Sequence, residues 1–325
     1  MPITEVHGEN ATPFTSDTRV RVRQEGAPAP RGALRRSAAD RSHLSARDAG
    51  AARRKGTAME RLHVDGGTLA YEDQGEGPLV ILVPGMGDLR QEYRFLAPRL
   101  VEAGHRVVSV DLRGHGGSSV GWSDYSRKAA ASDLLALVDQ LDAGPATLVC
   151  NSFTAASGVW AAAERPGAVS GLVLIGPFVL PQPARPLMQV LMRVLFTGPW
   201  KVAAWSWYFG TLFPTRRPAD FGAYRAALRA NLAEPGRFEA LRAMMLGNEP
   251  EIADRLPDVT APSLVVMGSK DPDFGDPADE ARRLAEGLGA ELVLIDGAGH
   301  YPHSEMPDAT FGPILDFLKA VHRGA

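Results

Sequence analysis

The chain has 325 residues, 45% of them hydrophobic, and a net charge of −3. That length suits one large α/β domain with an insertion, or two small domains, and the charge gives no reason to expect a nucleic-acid partner. The single cysteine, Cys150, excludes an intramolecular disulfide and gives no sign of an oxidising compartment, so a cytoplasmic location is expected. Residues 1–30 lack an apolar stretch of secretory length and no run reaches membrane-spanning length, so no signal peptide and no stable membrane span are expected. The oligomeric state is not legible. Residues 1–58 carry a net +5 and the rest a net −8. This first segment is rich in Ala, Arg, Pro, Gly and Ser and lacks a sustained period, so it reads as a disordered basic arm, with Met59 an alternative start.

From Met59 the pattern changes. Arg61–Val64 and Thr68–Tyr71, separated by Asp65-Gly66-Gly67, read as a hairpin. Apolar runs follow at 79–83, 106–110, 146–150, 172–175, 263–267 and 291–295. Runs of this kind suit strands buried on both faces of a parallel sheet. Helical spacing fills segments near 91–103, 127–142, 153–164, 277–288 and 308–321. The expected fold is α/β: a doubly wound, mostly parallel eight-stranded sheet whose ligand lies at the carboxyl ends of the strands. The core is assigned to 59–177 and 258–325. Residues 178–257 are too long for an ordinary crossover and read as a helical lid.

Three polar residues fall just past strand ends. Ser152 sits between a strand and a helix, Asp271 lies in Gly268-Ser269-Lys270-Asp271-Pro272, and His300 closes Gly297-Ala298-Gly299-His300. A serine hydroxyl needs a base to take its proton and an acid to orient that base. The order Ser, Asp, His along the chain, with the serine on a strand–turn–helix, is the arrangement expected of a nucleophile elbow with its triad. Asp273, Asp276 and His303 are rivals for the acid and base positions. No His, Cys or carboxylate cluster has metal-ligand spacing, so neither metal nor organic cofactor is expected.

With Val83-Pro84-Gly85-Met86-Gly87, Asp111-Leu112-Arg113-Gly114-His115-Gly116-Gly117-Ser118-Ser119 and Cys150-Asn151-Ser152-Phe153-Thr154, these segments resemble the α/β-hydrolase superfamily in its lidded esterase branch, over about residues 60–321. The resemblance implies catalytic Ser152, Asp271 and His300, an oxyanion hole of the Met86 and Phe153 amides, and a structural role for His115. It departs from the family at Cys150 and Thr154, which stand where the elbow has glycines. Relatives that open epoxides or remove halides use an aspartate nucleophile, so Ser152 points to an ester or related acyl bond.

The lid segment is rich in aromatic residues, Trp207 and Phe209 among them. It contains Arg185, Arg193, Lys201, Arg216 and Arg217 but no acid between Phe178 and Ala219. An apolar acyl pocket lined by Trp207 and Phe209 is therefore expected, taking a small, largely apolar ester or acyl substrate. Two alternatives are a non-hydrolytic ligand-binding protein on the same fold and a cofactor-free perhydrolase or lyase with the same triad.

Overall fold

A computed structural model describes residues 20–23, 58–182, 194–247 and 249–324. The apolar runs form strands β2 (Glu60–Val64), β3 (Gly67–Gln74), β4 (Leu79–Val83), β5 (Arg106–Val110), β6 (Ala146–Asn151), β7 (Val169–Ile175), β8 (Ser263–Gly268) and β9 (Glu291–Ile295). Every residue of β4, β6 and β8 is buried, as a central strand covered on both faces requires. With β1 at Val20–Arg23, the sheet order is β1-β9-β8-β7-β6-β4-β5-β3-β2. Pairing is antiparallel only at β2–β3 and β3–β5 and parallel elsewhere.

Side chains alternate across the sheet. Ile81, Leu148, Leu172 and Val265 enter one core, which also includes residues of helices α2 (Arg127–Leu141), α3 (Phe153–Glu164) and α7 (Pro277–Leu288). Val80, Val149, Val173 and Leu264 enter the other, with α1 (Ala97–Glu102) and α9 (Pro307–Gly324). A third cluster gathers Phe196, Phe209, Phe213, Phe221, Leu228 and Phe238 from the stretch between β7 and β8. This stretch contains α4 (Lys201–Thr211), α5 (Phe221–Ala233) and α6 (Arg237–Leu246). A short helix, α8 (Pro302–Glu305), precedes α9.

Three expectations need amendment. The sheet has nine strands among the described residues rather than eight. The addition is β1 (Val20–Arg23), which lies within the segment read as disordered and pairs in parallel with Leu292–Ile295 at the sheet edge. The rest of residues 1–57 lies outside the described residues. The helix near 91–103 is divided into a 3-10 turn at Arg90–Tyr93 and α1, whose first turn contains Pro98. Proline is tolerated there because that N–H has no intrahelical partner.

Candidate active site

Ser152 follows the buried strand β6 and immediately precedes α3. Its backbone has φ 56° and ψ −118°. Among the described non-glycine residues only Asp142 and Ser152 have positive φ. Such a conformation costs on the order of 1–3 kcal/mol and persists only where neighbours enforce it. Here the chain leaving β7 clamps the turn from both sides. Ser152 N–H donates to Ile175 O at 2.9 Å, and Ser152 O accepts from Phe178 N–H at 3.2 Å.

The positions where glycines were expected are accommodated by other means. Cys150 faces Gly158 one turn into α3, where an added Cβ would come within 3.0 Å of the cysteine sulfur. The Thr154 hydroxyl donates toward Val83 O, Pro84 O and Asn151 O at 3.2, 3.1 and 2.9 Å, binding the helix start to the end of β4. Close approach is instead required of Gly85, whose Cβ would lie 2.8 Å from Asn151 Oδ1.

Asp271 follows β8 and His300 follows β9. His300 Nδ1 lies 2.7 Å from Asp271 Oδ2. Because a carboxylate only accepts, the proton sits on Nδ1 and leaves Nε2 as the basic nitrogen. Of the rival acids, Asp273 is farther from His300, at 3.8 Å. Asp276 instead caps α7, accepting from Asp279 N–H at 3.0 Å. The rival base, His303, is buried and stacks on Tyr93 with ring centroids 4.9 Å apart. Burial lowers the pKa of His300, but Asp271, Asp273 and Glu92 outweigh it and push it up to about 9. Asp271, Asp273 and His300 bring potential ligand atoms within 4.8 Å of one another. The close Asp271–His300 pair is the acid–base arrangement a hydroxyl nucleophile needs.

The Met86 loop is gripped on both sides. Gly85 N–H donates to Glu92 Oε2 and Gly87 N–H to His115 Nε2, each at 3.0 Å. His115 Nδ1 faces Arg113 O at 2.8 Å, and burial depresses the ring's pKa to about 4, so it stays a neutral acceptor. This is the structural role expected for it. Burial pushes the Glu92 carboxyl up to about 8. His303 Nε2 is 2.9 Å from Glu92 Oε1 without forming a directed hydrogen bond.

Ser152, His300, Met86 and Phe153 all line one cavity of about 200 Å³, with Arg127, Phe178, Trp205, Tyr208, Leu212, Asp273 and Tyr301. Trp207 and Phe209, the expected pocket residues, do not line it. Trp207 is 66% exposed, whereas Phe209 is 1% exposed and packed among Phe213, Phe221 and Tyr301. Helix α4 carries apolar residues on all sides, so its sequence did not reveal its inner face. Trp205 and Tyr208 occupy that face. Trp205 Nε1 donates to Gly87 O at 3.3 Å and the Tyr208 hydroxyl to Asp273 at 2.7 Å. Just past α4, Leu212 O accepts from His300 N–H at 3.1 Å.

The cations of the lid segment are engaged elsewhere or lie outside the described residues. Lys201 pairs with Glu239 at 2.6 Å, and Arg217 donates to Gly210 O at 3.3 Å and lies over Phe221. Arg185 and Arg193 fall outside the described residues. The described cation that lines the cavity is Arg127, at the start of α2, which sequence reasoning missed. Glu305 was missed as well. It accepts from Gly299, Thr215 and Arg216 N–H at 2.6, 2.9 and 2.8 Å, joining the His300 loop to the chain beyond α4.

The fold and these strand-end positions define a member of a known class. Residues 80–312 match the model of the alpha/beta hydrolase family, and the chain belongs to that family. It is 27% identical to the 2-(acetamidomethylene)succinate hydrolase of Mesorhizobium japonicum, over 78% of this chain and 92% of the relative. It is 26% identical to epoxide hydrolase A of Mycobacterium tuberculosis, over 81% and 98%. The fold matches that of a thermophilic esterase from Thermogutta terrifontis with a TM-score of 0.68 and 24% identity, covering 82% of this chain and 99% of the esterase. Among the described residues no helix is long and apolar enough to cross a membrane.

Proposed function

We propose that this hydrolase is a serine enzyme that cleaves an ester or related acyl bond through an acyl-enzyme. The observation that carries the reading is the strained Ser152 elbow in one cavity with His300, whose Nδ1 is held 2.7 Å from Asp271. Ser152 Oγ attacks the carbonyl carbon while His300 Nε2 takes its proton. His300 then returns that proton to the leaving group, and water repeats the sequence to release the acid. Asp271 fixes the ring and stabilises the imidazolium. The Met86 amide, between two clamped neighbours, and the Phe153 amide at the start of α3 receive the developing oxyanion. The first N–H groups of a helix have no intrahelical partner and favour negative charge. The helical insertion serves as a lid, with Trp205 and Tyr208 roofing the acyl site.

Relatives in this family include proteins named for epoxide and amide-bearing substrates. The hydroxyl at position 152 favours acyl transfer over epoxide opening, because an alkyl–enzyme ester is made by a carboxylate nucleophile. Labelling with a fluorophosphonate tests the proposal. The intact protein should label at Ser152 and turn over p-nitrophenyl esters, and Ser152→Ala should lose both by several orders of magnitude while keeping its melting temperature. Turnover surviving in purified Ser152→Ala protein sinks it.

A further inference from the structure

Arg127 is the first residue of α2 and a wall of the cavity that holds Ser152 and His300. Its guanidinium carbon lies 4.7 Å above the Phe153 ring centroid. Its Nε is buried without a hydrogen-bond partner. The nearest described carboxylate, Glu249, is 3.9 Å from Nη1, too far for a hydrogen bond. Glu249 already has another role at the helix start, accepting backbone N–H from Arg127 at 2.7 Å and Lys128 at 3.2 Å. That capping does not require an arginine side chain. Burial depresses the guanidinium's pKa, and Glu249 only partly offsets the effect.

The other charged groups facing the cavity are already matched to each other. Asp273 accepts from Tyr208 and lies 3.8 Å from His300. A guanidinium whose side chain is only 19% exposed, with its buried Nε unpartnered in a largely apolar cavity, is costly unless water or a ligand supplies acceptors. Its planar fork matches the two oxygens of a carboxylate in bidentate geometry.

We infer that Arg127 binds a carboxylate of the substrate, so that the molecule hydrolysed is a half-ester or related acyl derivative of a dicarboxylic acid. The reading rests on the proposed acyl-transfer site. The guanidinium sits over the ring of Phe153, whose own amide is the proposed oxyanion donor. The carboxylate is therefore a few bonds from the scissile carbonyl.

The test uses a matched pair, methyl hydrogen glutarate and dimethyl glutarate, titrated calorimetrically into full-length Ser152→Ala protein. The two share a skeleton and differ in charge. The monoester should bind about tenfold or more tightly than the diester, the usual scale of a charge-assisted hydrogen bond. In Ser152→Ala/Arg127→Gln that difference should vanish, and in Ser152→Ala/Arg127→Lys part of it should remain. Equal binding of the two esters, no measurable binding of the monoester, or a preference that survives Arg127→Gln overturns the inference. The first comparison needs no change at Arg127, so a variant that fails to fold does not blunt it. Because the titration requires no nucleophile, a missing fluorophosphonate label would sink acyl transfer alone, leaving the carboxylate site to be judged by binding.

Discussion

At the scale of single residues, the charge state of His300 governs the proposed chemistry. Only neutral imidazole can accept the serine proton. The carboxylates around His300 raise its pKa from the ordinary 6.5 to about 9. Activity is therefore expected to fall as pH drops through that raised value, giving kcat/KM an ascending limb on the alkaline side of an ordinary histidine. Asp273→Asn removes one stabilising carboxylate and keeps an oxygen to accept from Tyr208. It should shift the limb to lower pH, and a pH–kcat/KM profile that does not move would refute the contribution. The same shift has a stability consequence. The charged His300–Asp271 pair contributes fully below the ordinary histidine pKa, and its contribution is lost as pH rises through about 9. Ser152, Asp271 and His300 could be picked out from sequence because each follows an apolar run that a parallel sheet turns toward one edge. Arg127 could not. It opens a helix, and nothing local reveals that the strand order brings that helix end over Phe153.

At the scale of elements, α4 contributes two residues to the lining of the cavity. Its residues 205 and 208 face the site, residue 207 is exposed, and 209 joins the core of the insertion. Trp205→Ala removes a cavity wall and the indole bond to Gly87 beside the Met86 loop. It should extend the chain length of acyl groups accepted while lowering kcat. Trp207→Ala should leave the chain-length profile as it was. Kinetics over p-nitrophenyl esters from acetate to octanoate separate the two, and a profile altered by Trp207→Ala and not by Trp205→Ala would contradict the orientation of α4. The central strands were legible because each is a continuous apolar run. The inner face of α4 was not, because its aromatic residues spread over more than half of its circumference and its few polar residues mark no single outer face.

At the scale of the whole molecule, the far edge of the sheet is closed by β1, a strand separated from β2 by 36 residues. The alternation Val20-Arg21-Val22-Arg23 is too short to stand out in a segment of that composition, and only its pairing with β9 reveals it. Truncation to Met59 strips this strand and leaves the outer edge of β9 unpaired. Each lost ladder bond is worth about 0.5–1.5 kcal/mol net. For a domain of this size the melting temperature should therefore fall by a few degrees. The bared edge should also promote self-association, since unpaired strands are templates for pairing. Scanning calorimetry and size-exclusion chromatography read the two effects. Unchanged melting and an unchanged elution volume would mean that β1 adds nothing to the fold.

Cys150 gives the molecule an internal clock. It is the chain's only thiol, fully buried against Gly158, and burial pushes its pKa well above the ordinary value. A thiol reagent in solution reaches it only when β6 and α3 part, so the alkylation rate counts openings of the scaffold immediately beneath the nucleophile. A ligand that binds only the closed form must slow that count in proportion to its occupancy. Affinity can then be followed by mass as the fraction of chains carrying the adduct, without a chromogenic substrate and even in variants that cannot turn over.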